Sequence, residues 1–481
     1  MPRSVVNFGG NVRFTPRHLY APTTEAEVLA ILDRHADGKV RVVGALHSWN
    51  PAIACDDAIV DLRHFNAVEV ERGADGAVWA TVGGGCRIKH LIRKLYSLAR
   101  VTMPSLGLIT EQTIAGAIST ATHGSGRHSL SHYVAEVRAA AYDAATRKAR
   151  IHVWRDGAEL RAARCAVGCM GVILSVRFRC IPLYDVAESV VDCATLDEVL
   201  AGESQFPLQQ FYLLPHRWSY LVQRRILVPA DRRKRSWWVP LYRAWWLCGI
   251  DVGLHLVLKL LAAVLRSAWC VRFFYRHVVS RLLLKNATVI DRGERMLVME
   301  HELFRHLEIE IFVPARHVRR AVALVRTVIE TFDGTTTPDD AIAAELERIG
   351  LWKELQERRG TFTHHYPITF RRVLPDDALI SMSGGDAEPR YAISFITYVE
   401  PRDRFLALAS FLARSMTRLF GARLHWGKTF PLDGTDVKSV YPALPEFRAV
   451  CQQVDPKGVF RTEFTDRVLF DARRGGREDP A

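Results

Sequence analysis

The stretch SLGLITEQTIAGAISTATHGSG, residues 105–126, decides how this chain is read. Its second half, AGAISTATHGSG at 115–126, is almost entirely small residues and hydroxyls around one imidazole, His123. Small residues let backbone come close to a flat or phosphorylated ligand, and threonine and serine hydroxyls can donate to phosphate oxygens. The first half contributes Ser105, Gly107, Thr110 and Thr113. Two more glycine turns accompany it. VVGALHSWN at 42–50 is a strand running into a turn at Gly44, with His47 and Ser48 just beyond. VGCMGVI at 167–173 holds Gly168, Gly171 and Val172. Successive backbone N–H groups in such turns make an anion-binding concavity. Neither the GxGxxG nor the GxxxxGK[ST] fingerprint is present, so the phosphate sites built on those loops are not indicated. The three turns together point to a binding region for a long anionic cofactor.

The surrounding chain alternates short strands and helices. VRVVGA at 40–45, AIVDL at 58–62 and AVWATVGGG at 78–86 read as strands. TTEAEVLAILDRHA at 23–36 opens with capping spacing from Thr24 to Glu27, and IKHLIRKLYSLA at 89–100 has the spacing of an amphipathic helix. Residues 137–154 read as an antiparallel pair. After about 185 the pattern becomes strand, proline stop and long helix, as in EIEIFVPARHVRRAVALVRTVIETF at 308–332. RYAISFITYV at 390–399 and FLALASFLARSMTRLF at 405–420 form a second such unit. The fold class is α+β, with a mostly antiparallel sheet in the second part. Three segments are expected: a cofactor domain over 1–184, a substrate or cap domain over 185–420, and a segment over 421–481 returning to the cofactor.

At 481 residues the chain is too long for one ordinary core, and 49% hydrophobic with 24% charged residues is a globular composition. Lys+Arg 65 against Asp+Glu 52 gives a net charge of +13, which admits an anionic cofactor, a membrane surface or nucleic acid. A nucleic-acid binder would leave the glycine turns unexplained. The nine cysteines are scattered and odd in number, which excludes a disulfide scaffold, and no metal site is expected at Cys165 and Cys169. MPRSVVNFGGNVRF at the N-terminus lacks a signal-peptide pattern, so the chain is read as cytoplasmic.

Five ordered motifs carry a family likeness. They are His47-Ser48 after the first strand, Ala115-Gly116 through Thr122-His123-Gly124-Ser125-Gly126, Gly168 with Gly171 and Val172, RLHWGK at 423–428, and DPKGVF at 455–460. The set resembles flavoproteins of the vanillyl-alcohol-oxidase type, and among them the sugar-lactone oxidases (gulonolactone, arabinonolactone) and alditol oxidases. The resemblance implies a two-subdomain FAD-binding domain with an α+β cap. It implies FAD bonded covalently through His47. It also implies Gly44, Ser48, Ser105, Gly107, Thr113, Gly116, Thr122, His123, Gly124, Gly126, Gly168, Gly171, Val172 and His425 around the cofactor, and Lys428 beside flavin and substrate. The expected reaction is hydride transfer from a CH–OH group of a sugar lactone, polyol or apolar alcohol to flavin, and then to oxygen or another acceptor.

One position departs from that likeness. The sugar-oxidising relatives carry Glu-x-Arg on a strand facing the flavin, and YPITFRR at 366–372 has Thr369 and Arg371 there. Period-two alternation keeps both on one face. Threonine offers a hydroxyl but no carboxylate, so Arg371 is expected to lack its acidic partner and to meet an anionic oxygen of the ligand instead. The substitute base is sought in His364, His365 or Glu310. The loss also leaves open a lipid-like or sterol-like substrate, or an FAD-binding protein altered in catalysis.

Residues 231–285 add DRRKR at 231–235, then tryptophans, leucines and scattered arginines. No uninterrupted apolar run reaches a membrane span. The mixture fits an interfacial region meeting anionic lipid, with a buried cap hairpin as the alternative.

Overall fold

The computed structural model describes residues 4–281, 285, 287–299 and 303–470. The ends of the expected insertion (282–284) and C-terminal segment (471–481) lie outside the described residues.

Residues up to about 182 build a three-stranded and a five-stranded sheet, with two short two-stranded pairs beside them. His18–Tyr20, Ala58–Asp61 and Val40–Val43 pair in parallel, with Ala58–Asp61 central. Five antiparallel strands follow in the order Ala149–Trp154, Val134–Tyr142, Val172–Arg179, Val78–Gly83 and Val68–Arg72. Helix Ile88–Ala99 buries Ile88, Leu91, Ile92 and Leu95, the i, i+3, i+4, i+7 set of its sequence. Helix Glu25–Arg34 is capped by Thr24, whose side chain accepts from the Glu27 N–H.

From Tyr184 the chain forms one eight-stranded antiparallel sheet. Its order is Thr288–Arg292, Tyr184–Cys193, Ser219–Pro229, Gln210–Leu214, Ile368–Val373, Arg390–Thr397, Leu307–Pro314 and Arg423–Leu424. Helices Val318–Phe332 and Asp403–Phe420 pack against each other, burying stripes such as Ala321, Leu324, Val325, Val328 and Ile329. Sequence patterning reached these elements because their apolar periods are long and regular.

The last segment returns to the first. Val40 N–H donates to Val459 O at 3.0 Å, Lys39 Nζ to Gly458 O at 2.6 Å, and Trp49 N–H to Gly427 O at 2.9 Å. DPKGVF is a turn organised by Asp455, whose carboxylate accepts from the N–H groups of Val459 (2.7 Å) and Phe460 (2.9 Å). Gly458 sits there at φ +69, which a residue without Cβ adopts cheaply.

The basic, apolar middle is helical. Val239–Val264 is one helix of 26 residues, long and apolar enough by length and composition to cross a membrane. The sequence reading missed this because Arg243, Asp251, His255 and Lys259 interrupt the apolar run. Two wide-turn stretches, Trp246–Leu254 and Leu260–Val264, bracket the short α-helix His255–Lys259. Only 11% of the apolar window is buried, so a buried hairpin does not describe it. Two anchors fix it to the sheet. Tyr242 OH donates to the buried Glu188 carboxylate, which also receives Arg225. Further on, His255 stacks on Phe304 at 3.6 Å between ring centroids.

The first anchor is a hydrogen bond to a buried charge, contributing about 1.5–3 kcal/mol. Tyr242→Phe is therefore expected to speed limited proteolysis within 239–264 about tenfold or more, with the rest of the chain cut at its wild-type rate.

Candidate functional site

Two cavities meet in the middle of the molecule. The first, of about 410 Å³, is a cleft walled by Gly44–Ser48, Gly84 and Gly85, Thr113, Ala115, Gly116, Ser119 and Thr120, Val167, Gly168, Gly171 and His425–Lys428. Its walls are backbone brought close together. A Cβ at Gly44 would lie 2.2 Å from Thr113 Oγ1, and one at Gly85 1.8 Å from Leu62 O. At Gly116, which lines the cleft, a Cβ would lie 3.2 Å from Thr113 Oγ1, a tight contact with that one side chain. Arg41, Arg63, Arg87 and Lys428 supply positive charge along the cleft. A long, flat, anionic cofactor fits this arrangement, and a side chain at Gly116 would intrude on it. The preceding Leu46 holds φ 58, left-handed for a residue with a Cβ, and this turn carries His47 into the cleft.

The second cavity, about 350 Å³, lies over the eight-stranded sheet and shares Gln112, His425 and Lys428 with the first. Its roof is the inner face of the 239–264 helix, with Trp246, Leu247, Ile250 and Leu254. Met296, Val298, Phe304, Ile396 and Tyr398 extend the apolar wall. The floor near the junction is polar, and strand register explains why. Tyr212 pairs with Thr369, Thr369 with Ser394, and Ser394 with Glu310, so one cross-strand row faces the cavity. Arg371, two residues from Thr369, shares that face.

Arg371 does not lack an acidic partner, contrary to the expectation drawn from Thr369. Glu310, on the second strand over, meets its NH1 at 3.4 Å. Ser394 Oγ donates to the same Glu310 oxygen at 2.9 Å, and His123 Nε2 lies 3.5 Å from it. All three contacts converge on Oε1. His123 Nδ1 faces the Gly124 carbonyl at 3.0 Å, and a carbonyl only accepts, so Nδ1 carries hydrogen. Glu308, next on the same face, pairs with Lys428 and lies 3.7 Å from His306. Lys428 Nζ also stands 4.2 Å over the Trp49 ring.

The charges are set by these neighbours. Burial alone would raise both carboxyls. Lys428 and His306 hold Glu308 down at about 2, and His123, with Lys428, holds Glu310 well below its usual range. Burial pushes His425 down to about 3, so its ring is neutral. Gly427 N–H donates to His425 Nδ1 at 2.9 Å, which puts the remaining proton on Nε2 and makes His425 a donor, not a base. Burial, with the charge of Lys428 behind it, pushes His47 down to about 4. A neutral imidazole is the nucleophilic form.

The HWGK segment is docked by backbone pairing to the Glu308–Glu310 strand. His425 N–H donates to Glu310 O and Thr429 N–H to Glu308 O, each at 3.0 Å. Of the residues singled out from sequence, Gly44, His47, Ser48, Thr113, Gly116, Gly168, Gly171, His425 and Lys428 line the cleft. Thr122, His123, Thr369, Arg371 and Glu310 line the second cavity. The others stand back from both. Ser105 donates to His128 O at 3.0 Å, and Gly107 packs on Thr122. Gly124 borders a small side cavity, and Gly126, at φ +74, abuts Pro207 O. Val172 is a buried strand residue paired with Ala140. His365 is corrected most clearly: it contacts Thr397 and Thr363, away from either cavity lining, and burial pushes it down to about 4. His364 is fully buried beside Phe395. Sequence reasoning missed Glu308, Gln112 and Ser394. The alternation Glu308-x-Glu310 within an apolar strand was a usable signal, since period two puts both acids on one face.

Donors and acceptors so arranged suit a flavin-linked oxidation, and the comparisons agree. Residues 16–155 match the FAD binding domain model, and residues 176–468 match the D-arabinono-1,4-lactone oxidase model. The chain belongs to the D-arabinono-1,4-lactone oxidase family and is an FAD-dependent oxidoreductase acting on CH–OH donors. A long-chain alcohol oxidase from an uncultured marine euryarchaeote is 46% identical over 96% of this chain and 96% of its own. An L-gulono-1,4-lactone dehydrogenase of Mycobacterium tuberculosis (strain CDC 1551 / Oshkosh) is 24% identical over 96% of this chain and 98% of its own. A solvent-stable cholesterol oxidase shares the fold at TM-score 0.73 and 13% identity, covering 97% of each chain.

Two outcomes follow for the site. Glu310→Gln is expected to slow flavin reduction by substrate about 10²–10⁴-fold in anaerobic stopped flow with FAD retained, while Thr369→Ala changes it far less. His47 and His425 are neutral in the fold at pH values where the unfolded chain, near 6.5, takes up protons. Their contribution to stability is complete above about pH 6.5 and is lost as pH falls toward 4. The thermal midpoint should fall over that interval, and less steeply in His425→Asn.

Proposed function

We propose that this protein oxidises long-chain primary alcohols to aldehydes, with FAD bonded through His47, oxygen as the electron acceptor, and the protein docked peripherally on an anionic membrane surface. The observation that carries the substrate class is the apolar cavity of about 350 Å³ that meets the cofactor cleft at Gln112, His425 and Lys428. An alkyl chain would lie under Trp246, Leu247, Ile250 and Leu254, with its hydroxyl on the polar floor. The name of the 46% identical relative supports the same class and supports oxygen as acceptor.

Bound FAD supplies the hydride acceptor and passes the electrons on. The chain supplies the rest. The Glu310 carboxylate, which lines the cavity, accepts the hydroxyl proton. Arg371, Lys428 and the Nε2–H of His425 stabilise negative charge on the substrate oxygen. Thr369 and Gln112 orient that oxygen. Glu310 also answers the reading of a catalytically altered protein, because it provides the carboxylate that Thr369 does not. Residues 1–184 and 421–470 are proposed as one FAD-binding unit, with 185–420 as its cap. The basic residues Arg232, Arg233 and Lys234, all exposed, support membrane docking.

The deciding experiment is anaerobic bleaching of the flavin by 1-dodecanol, xylitol and L-gulono-1,4-lactone. The expected order has 1-dodecanol fastest by about 10² or more. Faster bleaching by xylitol or the lactone would overturn the substrate class. Acid-precipitated wild type should keep its yellow colour and His47→Ala should not. A colourless wild-type pellet would remove the covalent bond alone.

A further inference from the structure

Among the described residues, nothing covers the outer face of the cavity roof. Along Val239–Val264 and the following helical turns, Trp237, Leu241, Leu260, Val264, Trp269 and Phe273 are exposed, Trp237 to 90% and Val264 to 68%. The 239–264 helix is thus apolar on both sides, one towards the cavity and one outward. Ten lysines and arginines but a single acid, Asp251, occur between 232 and 281, and Asp251 lines the cavity. An apolar face with aromatic residues and a basic rim is the composition that partitions into the headgroup–acyl boundary of an anionic bilayer. The Tyr242–Glu188 and His255–Phe304 contacts hold the helix against the body of the protein, so a bilayer meeting its outer face would take it lengthwise. The cavity reaches the surface close by: Leu303 lines it and is 51% exposed.

We infer that the 239–279 region embeds in the acyl layer and that the alcohol passes sideways from the bilayer into the flavin cavity without entering water. This rests on the long-chain alcohol reading and adds the route. An amphiphile in a bilayer presents its hydroxyl at the headgroup level and its chain in the acyl layer. A roof embedded at that depth puts the cavity mouth beside the dissolved substrate. Concentration in the bilayer, not in the bulk, then sets the rate.

The test uses FAD-loaded enzyme, vesicles of phosphatidylglycerol and phosphatidylcholine carrying 1-hexadecanol, and 1-hexanol in buffer without lipid. At fixed bulk hexadecanol, adding lipid should lower the wild-type rate in proportion to the alcohol's mole fraction. The double variant Leu260→Ser/Trp269→Ser, which alters neither cavity, should lose about tenfold or more in kcat/KM on vesicle hexadecanol. It should keep its hexanol activity within about twofold of wild type. Wild-type hexadecanol turnover in the double variant, or equal losses on both alcohols, would overturn the inference while leaving the substrate reading intact. Failure of every alcohol to bleach the flavin would instead defeat the substrate reading, and the route with it.

Discussion

The site depends on a single buried strand that carries two ionised carboxylates. Glu308 and Glu310 alternate along Leu307–Pro314, a strand otherwise entirely apolar and buried along its length. Removing two charges from water costs several kcal/mol each unless partners compensate. Lys428 and His306 do so for Glu308, and Arg371, Ser394 and His123 do so for Glu310. Those partners come from the glycine-rich loop, the cap sheet and the returning C-terminal segment. The same strand pairs with 425–429 through its backbone. The two acids therefore tie together three stretches of chain that are far apart in sequence.

That constraint also explains how a threonine can stand where sugar-oxidising relatives place a glutamate. The carboxylate moves two strands sideways within the same cavity-facing row, and Arg371 still finds it. An acid supplied from Glu310 leaves the floor at Thr369 neutral and small. The adjacent wall is apolar, with Ile396, Tyr398 and the helix roof. A carboxylate still faces Arg371, and the adjacent wall offers hydrocarbon contact where hydroxyls would find few partners.

Much of this was legible in the sequence. Long periodic helices such as Ile88–Ala99 and Asp403–Phe420 announce themselves, and the glycine turns mark the cofactor cleft because only glycine tolerates their close backbone approaches. The alternation at Thr369 and Arg371 gives their shared face correctly. What was not legible required register. Nothing local to YPITFRR reveals that Ser394 and Glu310 stand in line with Thr369, since that alignment is set by three strands pairing. His364 and His365 looked available because they precede the strand, but burial beneath the sheet removes them from the cavity. The helix roof was hidden because Arg243, Asp251, His255 and Lys259 break its apolar run, although Asp251 and Arg243 line the cavity and His255 is an anchor.

On the long-chain alcohol reading, hydrocarbon contact in the roofed cavity drives specificity. The direct measurement is kcat/KM for primary alcohols from butanol to hexadecanol, each held below its solubility limit. Burying one methylene contributes about 0.8 kcal/mol, so kcat/KM should rise about three- to fourfold per added carbon until the cavity is filled, and then level off. A series that is flat, or that falls, from the shortest chain onward would contradict the account.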